Sequence, residues 1–326
     1  MCNSRFPVSP LRRARLERMV GRSERLVITG AAGQLGGVLA AQAVRAGRDV
    51  LAKTSSEWDI TDAAATEEII GTGDVVINCA AYTDVDSAES DEARAYAVNA
   101  TGPENLAKAC ARAGAALIHV STDYVFDGDH ADLPDGAQPQ PYEPGDKTAP
   151  QGVYARSKFA GERAVLAALP DAVVVRSAWV YTGGTGSDFV AIMRRLAAGE
   201  GPVDVVDDQT GSPTYVADLA AALLEVADAG VRGRLLHAAN GGAVSRFGLA
   251  RAVFEECGTD PQRVRPVSTA QFPRPAVRPG YSALGGRQWA AAGLTPLRPW
   301  RSALVAALAA ASDRALAGRP VPSTSD

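Results

Sequence analysis

The sequence has little that would support metal binding, disulfide bonding or insertion into a membrane. Only four cysteines occur in 326 residues, and none of them forms a C-x-x-C pair. They are Cys2, Cys79, Cys110 and Cys257. The three histidines, His119, His130 and His237, also lack the spacing of metal ligands. No stretch approaches the ~20 consecutive apolar residues of a membrane span. We therefore expect no metal, no disulfide framework and no transmembrane helix.

The charge balance gives no global attraction to nucleic acid or to anionic membranes. The formal net charge is -4 and the sequence pI is near 5.5, so small soluble molecules are the expected partners. The chain is 46% hydrophobic and 21% charged, an ordinary balance for a folded protein. The scattered cysteines fit a reducing compartment, which predicts a cytoplasmic protein.

Residues 1–24 differ in composition from everything that follows. This segment is rich in arginine, has no apolar periodicity and lacks the long apolar region of a secretory signal. We expect a disordered extension or the product of an early start codon, with Met19 as the alternative start. A basic arm that binds acidic partners is the other interpretation.

From Arg25 onward, short apolar runs alternate with helix-like stretches, as in RLVITG, QLGGVLAAQAVRAG, DVVINCAAY and ALIHVSTDY. Continuous β-branched runs separated by helices indicate a parallel sheet that is covered on both faces. We predict a doubly wound α/β fold, with a dinucleotide-binding domain at 25–178. Residues 179–326 then form mostly a smaller substrate-binding lobe, with about 212–240 returning to the first domain.

Between Asp127 and Gly152 the sequence becomes rich in Pro, Gly, Asp and Gln, which predicts a long loop. Because such loops inside compact domains are usually functional or disordered, a lid and a passive insertion are both open. A helix from Tyr154 to about Leu169, one strand at AVVVRSAWVY and a final helix near 301–311 are predicted to follow.

A glycine-rich turn follows the first predicted strand. Gly30, Gly33 and Gly36 lie in TGAAGQLGG with G-x-x-G-x-x-G spacing. Glycine there permits a tight bend, close approach of a pyrophosphate to backbone N–H groups and tight packing of helix on strand. The strand before it and the helix after it are the context that a Rossmann dinucleotide site requires.

The end of the second strand bears on which nicotinamide cofactor is used. An acid there would bind the ribose 2′-OH of NAD, but this chain reads Leu51-Ala52-Lys53-Thr54. Lys53 would attract the 2′-phosphate of NADP(H), so we expect that cofactor to be accepted beside NADH. An exposed lysine that points to water is the alternative.

Three residues suggest carbonyl reduction. Tyr154 and Lys158 are four residues apart in YARSK, so a helix places them on one face. An ammonium beside a phenol would lower the phenol pKa and make Tyr154 an acid for an alkoxide that forms from a ketone. Lys158 would also hold the nicotinamide ribose. Thr122, at the end of the preceding strand, would donate a hydrogen bond to the same carbonyl oxygen.

The order of these motifs is that of the extended short-chain dehydrogenases/reductases. Within that group, the chain resembles the dTDP-4-dehydrorhamnose reductase family over about residues 25–310, in particular its actinobacterial members, which build the rhamnose of a cell-envelope linker. The segments that carry the resemblance are STDYVFDG, VNATGPENLAKA, RSAWVYTG, DDQTGSPTYVADLA and RPGYSAL. The resemblance implies NAD(P)H-dependent reduction of the C4 keto group of dTDP-4-dehydro-L-rhamnose.

The resemblance also implies roles for individual residues. The dinucleotide phosphates would contact Gly33, Gln34 and Leu35. The adenine would lie at Asp59 and Ile60, and the nicotinamide-side ribose at Ala81, Tyr82 and Thr83. Catalysis would use Thr122, Tyr154 and Lys158. The deoxy-sugar ring would contact Asp123 and Trp179, and the diphosphate Arg278.

Two positions depart from the family pattern. Some members carry a glutamate, proposed to bind Mg²⁺ at a dimer contact, where this chain has Val38. The need for Mg²⁺ and the choice between monomer and homodimer are therefore open. Ala155 stands where glycine is commoner, a change that is small enough to leave the helix start intact.

Three rival functions are compatible with the motifs. They are a reductase of a related dTDP-4-keto sugar in antibiotic biosynthesis, a nucleotide-sugar epimerase that returns the hydride, and a non-catalytic subunit like the regulatory subunit of methionine adenosyltransferase. STDYVFDG favours a reductase over an epimerase. The presence of Thr122, Tyr154 and Lys158 together favours an enzyme over a binding module.

Overall fold

The computed structural model describes residues 25–128, 139–184 and 186–317. The predicted N-terminal extension, with Met19 as an alternative start, lies outside these residues. Among the described helices, none has the length and apolar character needed to span a membrane.

The described strands form one main sheet and three short pairs. In chain order they are β1 (Leu26–Thr29), β2 (Val50–Lys53), β3 (Val75–Asn78), β4 (Ala116–Thr122), β5 (Val173–Ser177), β6 (Val180–Tyr181), β7 (Val203–Val206), β8 (Thr210–Gly211), β9 (Thr214–Tyr215), β10 (Arg234–His237), β11 (Val244–Ser245) and β12 (Val264–Val267). The main sheet has the order β10-β5-β4-β3-β1-β2, and all of its pairs are parallel.

Helices cover both faces of the main sheet. The described α-helices are α1 (Gln34–Arg45), α2 (Ala63–Ile69), α3 (Glu92–Tyr96), α4 (Gly102–Ala113), α5 (Gly152–Ala168), α6 (Phe189–Ala197), α7 (Val216–Ala229), α8 (Arg246–Glu256), α9 (Arg287–Ala291) and α10 (Trp300–Ala317). Leu39 of α1 and Leu219 of α7 pack on one face, whereas Leu106 of α4 and Val165 of α5 pack on the other. The predicted doubly wound α/β fold is confirmed.

A second apolar core lies in the later part of the chain. Val190 of α6, Val253 of α8 and Leu304 of α10 are buried in it, each less than 1% exposed. Strands β7 and β12 pair in parallel beside α8. Two parts of the chain after residue 178 nevertheless belong to the main sheet: β10 is its edge strand, and α7 packs against α1. The division of the chain at residue 178 stays a prediction.

Two elements that the sequence predicted as continuous are interrupted. The helix predicted through ARAYAVNATGPENLAKACARAG is broken by a π-helical turn at Ala97–Thr101, between α3 and α4. The strand predicted at AVVVRSAWVY is broken at Trp179, whose φ of 46° lies in the left-handed region. Both interruptions occur at residues that border the candidate site. There, the contacts of a side chain outweigh the preference of the backbone for a regular helix or strand.

The described part of the predicted 127–152 loop is packed against the protein. Tyr142 stacks on Phe126 with ring centroids 4.1 Å apart, and its backbone N–H donates to the carbonyl of Ala283 at 2.8 Å. Residues 139–151 are therefore anchored to the protein through Tyr142, and the two interpretations of the whole loop stay predictions. Residues 129–138 lie outside the described residues.

Candidate active site

The glycine turn lies at the crevice where the strand order of the main sheet reverses. Strands β1 and β3 are neighbours there, and ligands of open α/β sheets bind at such points. Gly30 has a φ of 67°, and a Cβ on it would lie 2.8 Å from the Ala80 nitrogen. A Cβ on Gly36 would lie 2.3 Å from the Gly30 carbonyl oxygen. The close approach of this turn to its neighbours therefore requires glycine at both positions.

The start of α1 presents backbone rather than side chains to the crevice. Gly33 precedes the helix, and no side chain caps it. Gln34 is exposed and contacts Asp188, at 3.4 Å between Nε2 and Oδ2. Leu35 packs into the apolar cores, so only its backbone could meet a phosphate.

A buried network that the sequence analysis missed supports the turn. The Thr29 hydroxyl donates to Asn78 Oδ1 at 2.6 Å, and the Ala80 N–H donates to both of those oxygens. The Asn78 amide lies 2.9 Å from His119 Nδ1. Burial lowers the pKa of His119 well below its usual value, so this ring stays neutral. The network fixes the loop after β3 against Gly30.

Asn99 ties the predicted ribose loop to the catalytic helix. Its Oδ1 accepts from the Tyr82 N–H at 2.8 Å, and its Nδ2 donates to the Tyr82 carbonyl at 3.1 Å and to the Ser157 hydroxyl at 3.0 Å. Ala81 and Tyr82 are partly buried and Thr83 is exposed. The sequence analysis missed Asn99, although it lies inside the segment VNATGPENLAKA that carried part of the resemblance.

The residues predicted around the adenosine end already have partners in the protein. The Lys53 ammonium lies 4.0 Å from a Glu57 carboxylate oxygen. Asp59 accepts hydrogen bonds from the backbone and side chain of Thr61, which lower the pKa of Asp59. Ile60 is buried against Gly102. These contacts are structural, and the predicted cofactor contacts of these residues stay predictions.

Lys158 is buried beside strand β4. It is 3% exposed, and its ammonium donates to the Val120 carbonyl at 2.8 Å. Burial lowers the pKa of Lys158 to about 8, against the opposing effects of Glu162 and Cys79. Near neutral pH the Lys158 side chain is therefore mostly charged. It lies near the end of β4, the strand that carries Thr122.

Tyr154 is brought to Thr122, but its pKa moves opposite to the prediction. Burial raises the pKa of Tyr154, a hydrogen bond with Thr122 lowers it, and Asp123 and Tyr124 raise it again. The predicted acidification by Lys158 is wrong in this structure, because desolvation dominates and the ammonium donates to Val120. A raised pKa keeps the phenol protonated at neutral pH, the form that a proton donor needs.

Thr122 and Asp123, at the end of β4, lie beside Tyr154. The Thr122 hydroxyl donates to Asp123 Oδ1 at 3.2 Å and accepts from the Tyr124 N–H at 3.2 Å. Asp123 is 2% exposed, and its Oδ2 accepts from the Ser282 hydroxyl at 2.6 Å. Burial raises the pKa of Asp123 to about 6.

A cavity of about 610 Å³ opens beside this cluster. Tyr124, Trp179, Arg246 and Arg278 line its end nearest the catalytic residues, and Phe189, Ile192 and Leu249 belong to its apolar lining. The Arg246 guanidinium lies 3.6 Å from the Trp179 ring centre and 5.0 Å from that of Phe189. Trp179 lines this cavity, and Asp123 precedes the lining residue Tyr124. Their predicted contacts with the sugar stay predictions.

Two guanidinium groups meet at one phenol. The Tyr124 hydroxyl hydrogen-bonds with Arg246 and with Arg278. Arg278 is also held by Asp86, with bonds of 2.5 and 3.0 Å to its two carboxylate oxygens. The sequence analysis missed Tyr124 and Arg246. Tyr124 lies within the quoted STDYVFDG, whereas nothing in the residues around Arg246 marks it.

No metal site is evident in the described part of the chain. No group of three or more His, Cys, Asp or Glu residues there is arranged to hold a metal ion. Val38 packs against both large apolar cores. Its aliphatic side chain has no atom that could bind a metal ion. The need for Mg²⁺ therefore stays an open question.

Comparison with known proteins identifies the family of the chain. The family model for the RmlD substrate binding domain matches residues 24–312. The dTDP-4-dehydrorhamnose reductase of Mycobacterium tuberculosis is 77% identical over 94% of this chain and 100% of the relative. That of Mycolicibacterium smegmatis is 58% identical over 98% of this chain and 94% of the relative.

Solved structures agree in fold and in sequence. The crystal structure of a dTDP-4-dehydrorhamnose reductase from Clostridium acetobutylicum has a TM-score of 0.81 at 36% identity, covering 88% of this chain and 99% of that one. A Bacillus anthracis dTDP-4-dehydrorhamnose reductase in complex with NADP has a TM-score of 0.79 at 35% identity, covering 86% and 97%. The chain belongs to the dTDP-4-dehydrorhamnose reductase family.

Proposed function

We propose that this chain reduces the C4 keto group of dTDP-4-dehydro-L-rhamnose to give dTDP-L-rhamnose, with NAD(P)H as the reductant. The observation that carries the proposal is the contact of Tyr154 with Thr122 at the end of β4, the strand to which Lys158 also bonds at Val120. Tyr124, two residues after Thr122, lines the cavity. The 77% identity to the Mycobacterium tuberculosis enzyme supports the same substrate.

The crevice fits a nicotinamide dinucleotide. Gly30 and Gly36 keep the turn free of Cβ atoms, and the start of α1 offers backbone N–H groups to a diphosphate. When bound there, NAD(P)H supplies a hydride for C4. Residues 25–178 would bind the dinucleotide, and residues 179–326 would mostly enclose the nucleotide sugar.

Tyr154 is the proposed proton donor. Its phenol is protonated at neutral pH, and its proton passes to the substrate oxygen as that oxygen gains the electrons of the carbonyl π bond. The tyrosinate then regains a proton from solvent. Lys158, whose ammonium donates to the Val120 carbonyl, would hold the nicotinamide ribose.

Thr122 cannot serve two acceptors with one hydrogen. The sequence analysis assigned that hydrogen to the substrate oxygen, whereas the structure directs it to Asp123. We propose that the Thr122 oxygen first accepts from the Tyr154 phenol and so orients it. Thr122 would stabilise the developing alkoxide only by exchanging Asp123 for that oxygen during the reaction.

The cavity suits a nucleoside diphosphate sugar. Arg246 and Arg278 together provide positive charge for a diphosphate, close to the Trp179 ring. The apolar side chains at Phe189, Ile192 and Leu249 would cover less polar parts of the nucleotide. Asp123 and Trp179 would hold the deoxy-sugar.

For the cofactor, we propose that NADPH and NADH are both accepted. Lys53 supports a 2′-phosphate contact, and the Bacillus anthracis relative binds NADP. Glu57 shares the Lys53 ammonium, which weakens its pull on a phosphate. Replacing Lys53 with Ala should raise KM for NADPH and leave KM for NADH nearly unchanged.

The test is turnover with dTDP-4-dehydro-L-rhamnose, followed with NADPH and with NADH. Stoichiometric cofactor consumption is expected, which an epimerase would not give. Tyr154→Phe should lower kcat by about 10²- to 10⁴-fold and leave cofactor binding intact. Tyr215→Phe, a buried tyrosine of the later lobe, is the control and should keep its activity. Unchanged turnover in Tyr154→Phe would refute the role of that residue.

A second candidate is reduction of another dTDP-4-keto sugar. A probable dTDP-4,6-dihydroxy-2-methyloxan-3-one 4-ketoreductase of Streptomyces antibioticus is 46% identical over 86% of this chain. Parallel assays of several dTDP-4-keto sugars separate the two candidates by kcat/KM. A correctly folded protein that reduces none of them would favour the non-catalytic alternative.

A further inference from the structure

Ser282 bonds to the Asp123 carboxylate oxygen that Thr122 does not contact. It belongs to the RPGYSAL segment, between β12 and α9, and is 1% exposed. Its hydroxyl donates to Asp123 Oδ2 at 2.6 Å, and its backbone N–H donates to the Thr210 carbonyl at 2.8 Å. A residue held by the later lobe thus fixes a carboxylate next to the reacting groups.

The hydrogen bonds around Asp123 connect Ser282, Asp123 and Thr122. Ser282 donates to one carboxylate oxygen and Thr122 to the other, at 3.2 Å. The ionised carboxyl group accepts from both hydroxyls with both oxygens, whereas a protonated acid would carry a donor on one oxygen and accept more weakly there. Tyr154 and Thr122 are hydrogen-bond partners. With the Thr122 hydrogen committed to Asp123, Thr122 has only its oxygen lone pairs left for the phenol.

We infer that Ser282 is a positioning residue for the carbonyl reduction: it fixes the Asp123 carboxylate, which sets the direction of the Thr122 hydroxyl and so orients the Tyr154 phenol. This inference rests on the proposed function. It assigns to the later lobe a part in the proton transfer, beyond enclosing the substrate.

The charge of Asp123 makes the inference measurable. The charged and titratable groups that face it are Arg246 from α8, Tyr154 from α5 and the adjacent Tyr124. Burial raises the pKa of Asp123, and the Ser282 hydrogen bond is the largest effect that opposes this rise. Removing the Ser282 hydroxyl therefore raises that pKa further, whereas the three facing groups remain.

The experiment measures kcat and KM across the pH range for four variants of the full chain with dTDP-4-dehydro-L-rhamnose and NADPH. Ser282→Ala removes the hydroxyl, and Ser282→Cys keeps nearly the same volume but has only a weak donor. Ser282→Thr restores a hydroxyl. Ser212→Ala is the matched control, since Ser212 is equally buried and its hydroxyl bonds only to Gly242 and Leu284 among the described residues.

We expect Ser282→Ala and Ser282→Cys to lower kcat by about 10-fold or more, the effect of losing one hydrogen bond to a charged group. Their KM should change much less, and the acidic limb of kcat should move to higher pH. Ser282→Thr and Ser212→Ala should keep the acidic limb of the wild type. Thermal unfolding and NADPH binding verify that each variant is folded.

The outcomes separate this inference from the proposed function. Turnover by the wild type with an unmoved acidic limb in Ser282→Ala and Ser282→Cys overturns the positioning role, whatever happens to kcat. A kcat in Ser282→Ala equal to that of Ser212→Ala overturns it as well. A folded wild-type protein without turnover overturns the proposed function and, with it, this inference.

Discussion

The guanidinium carbon of Arg246 lies over the indole ring of Trp179, 3.6 Å from the ring centre. Trp179 reaches this position through a left-handed backbone conformation, with a φ of 46°. Gly211 permits it, because a Cβ there would lie 2.6 Å from the ring. This wall of the cavity therefore depends on three features: the left-handed backbone of Trp179, the lack of a side chain at Gly211 and the contact with Arg246.

Replacing Arg246 with Lys should raise KM for the nucleotide sugar by about 10-fold, because lysine lacks the planar fork that stacks and binds phosphate. The Kd for NADPH should stay unchanged. Arg251→Lys is the control on the same helix, where the guanidinium lies over Phe247 and not at the cavity. Equal KM values for the two variants would contradict a substrate contact for Arg246. Steady-state kinetics and a fluorescence titration with NADPH make these measurements.

The pH dependence of kcat/KM should carry a basic limb near pH 8. Burial lowers the pKa of Lys158 to about 8, so the ammonium that would hold the nicotinamide ribose is present below that pH and is lost as the pH rises through it. Lys158→Arg keeps its charge throughout this range. Its activity should be lower, but the basic limb should disappear from its profile. A limb that persists at the same pH in that variant would assign it to another group.

Gly36→Ala should weaken NADPH binding by about 10-fold or more. Its Cβ would lie 2.3 Å from the Gly30 carbonyl oxygen, so the turn must open and its N–H groups must move. Gly145→Ala is the control, because a Cβ at that exposed glycine meets nothing within 4 Å. Calorimetric titration of both variants measures the difference. Wild-type affinity in Gly36→Ala would mean that the cofactor does not bind at this turn.

The buried ion pair of Arg176 and Glu162 should be costly to break. Both side chains are 3% exposed or less, with bonds of 2.8 and 2.7 Å. Glu162→Gln leaves a buried guanidinium without its counter-charge and should lower the free energy of unfolding by about 3–5 kcal/mol. It should also move the basic limb of Lys158 to lower pH, because Glu162 raises the pKa of that lysine.

The control for this ion pair is Glu104→Gln, which breaks an exposed pair with Lys108. Its effect on the free energy of unfolding should be about 0.5 kcal/mol or less. Denaturant titration measures both variants. A loss in Glu162→Gln no larger than that of Glu104→Gln would mean that the buried pair adds nothing to stability.

The features that the sequence predicted depend on short-range patterns. The spacing of Gly30 and Gly36, the four-residue interval from Tyr154 to Lys158 and the position of Thr122 at a strand end are local properties. Periodicity and chain order suffice to bring them to one edge of the sheet. The fold class followed from the alternation of apolar runs with helix-like stretches, and the family followed from the resemblance of longer segments such as STDYVFDG.

What the sequence could not predict depends on contacts between distant segments. Arg246 meets Trp179 across 67 positions of the chain, and Ser282 meets Asp123 across 159. The direction of the Tyr154 pKa shift depends on how deeply the phenol is buried, and periodicity carries no information on that. Trp179 interrupts a strand that its composition favours, because its tertiary contacts outweigh local propensity.

Because β10 is the edge strand next to β5, the main sheet cannot be completed before β10 has been synthesised. Strand β5, whose five residues are all buried, lacks one of its neighbours until residues 234–237 have been synthesised. A fragment cut at residue 178 would thus expose a row of unsatisfied peptide groups along an apolar strand, a template for aggregation. We therefore expect a fragment of residues 25–178 to aggregate more readily than the full chain.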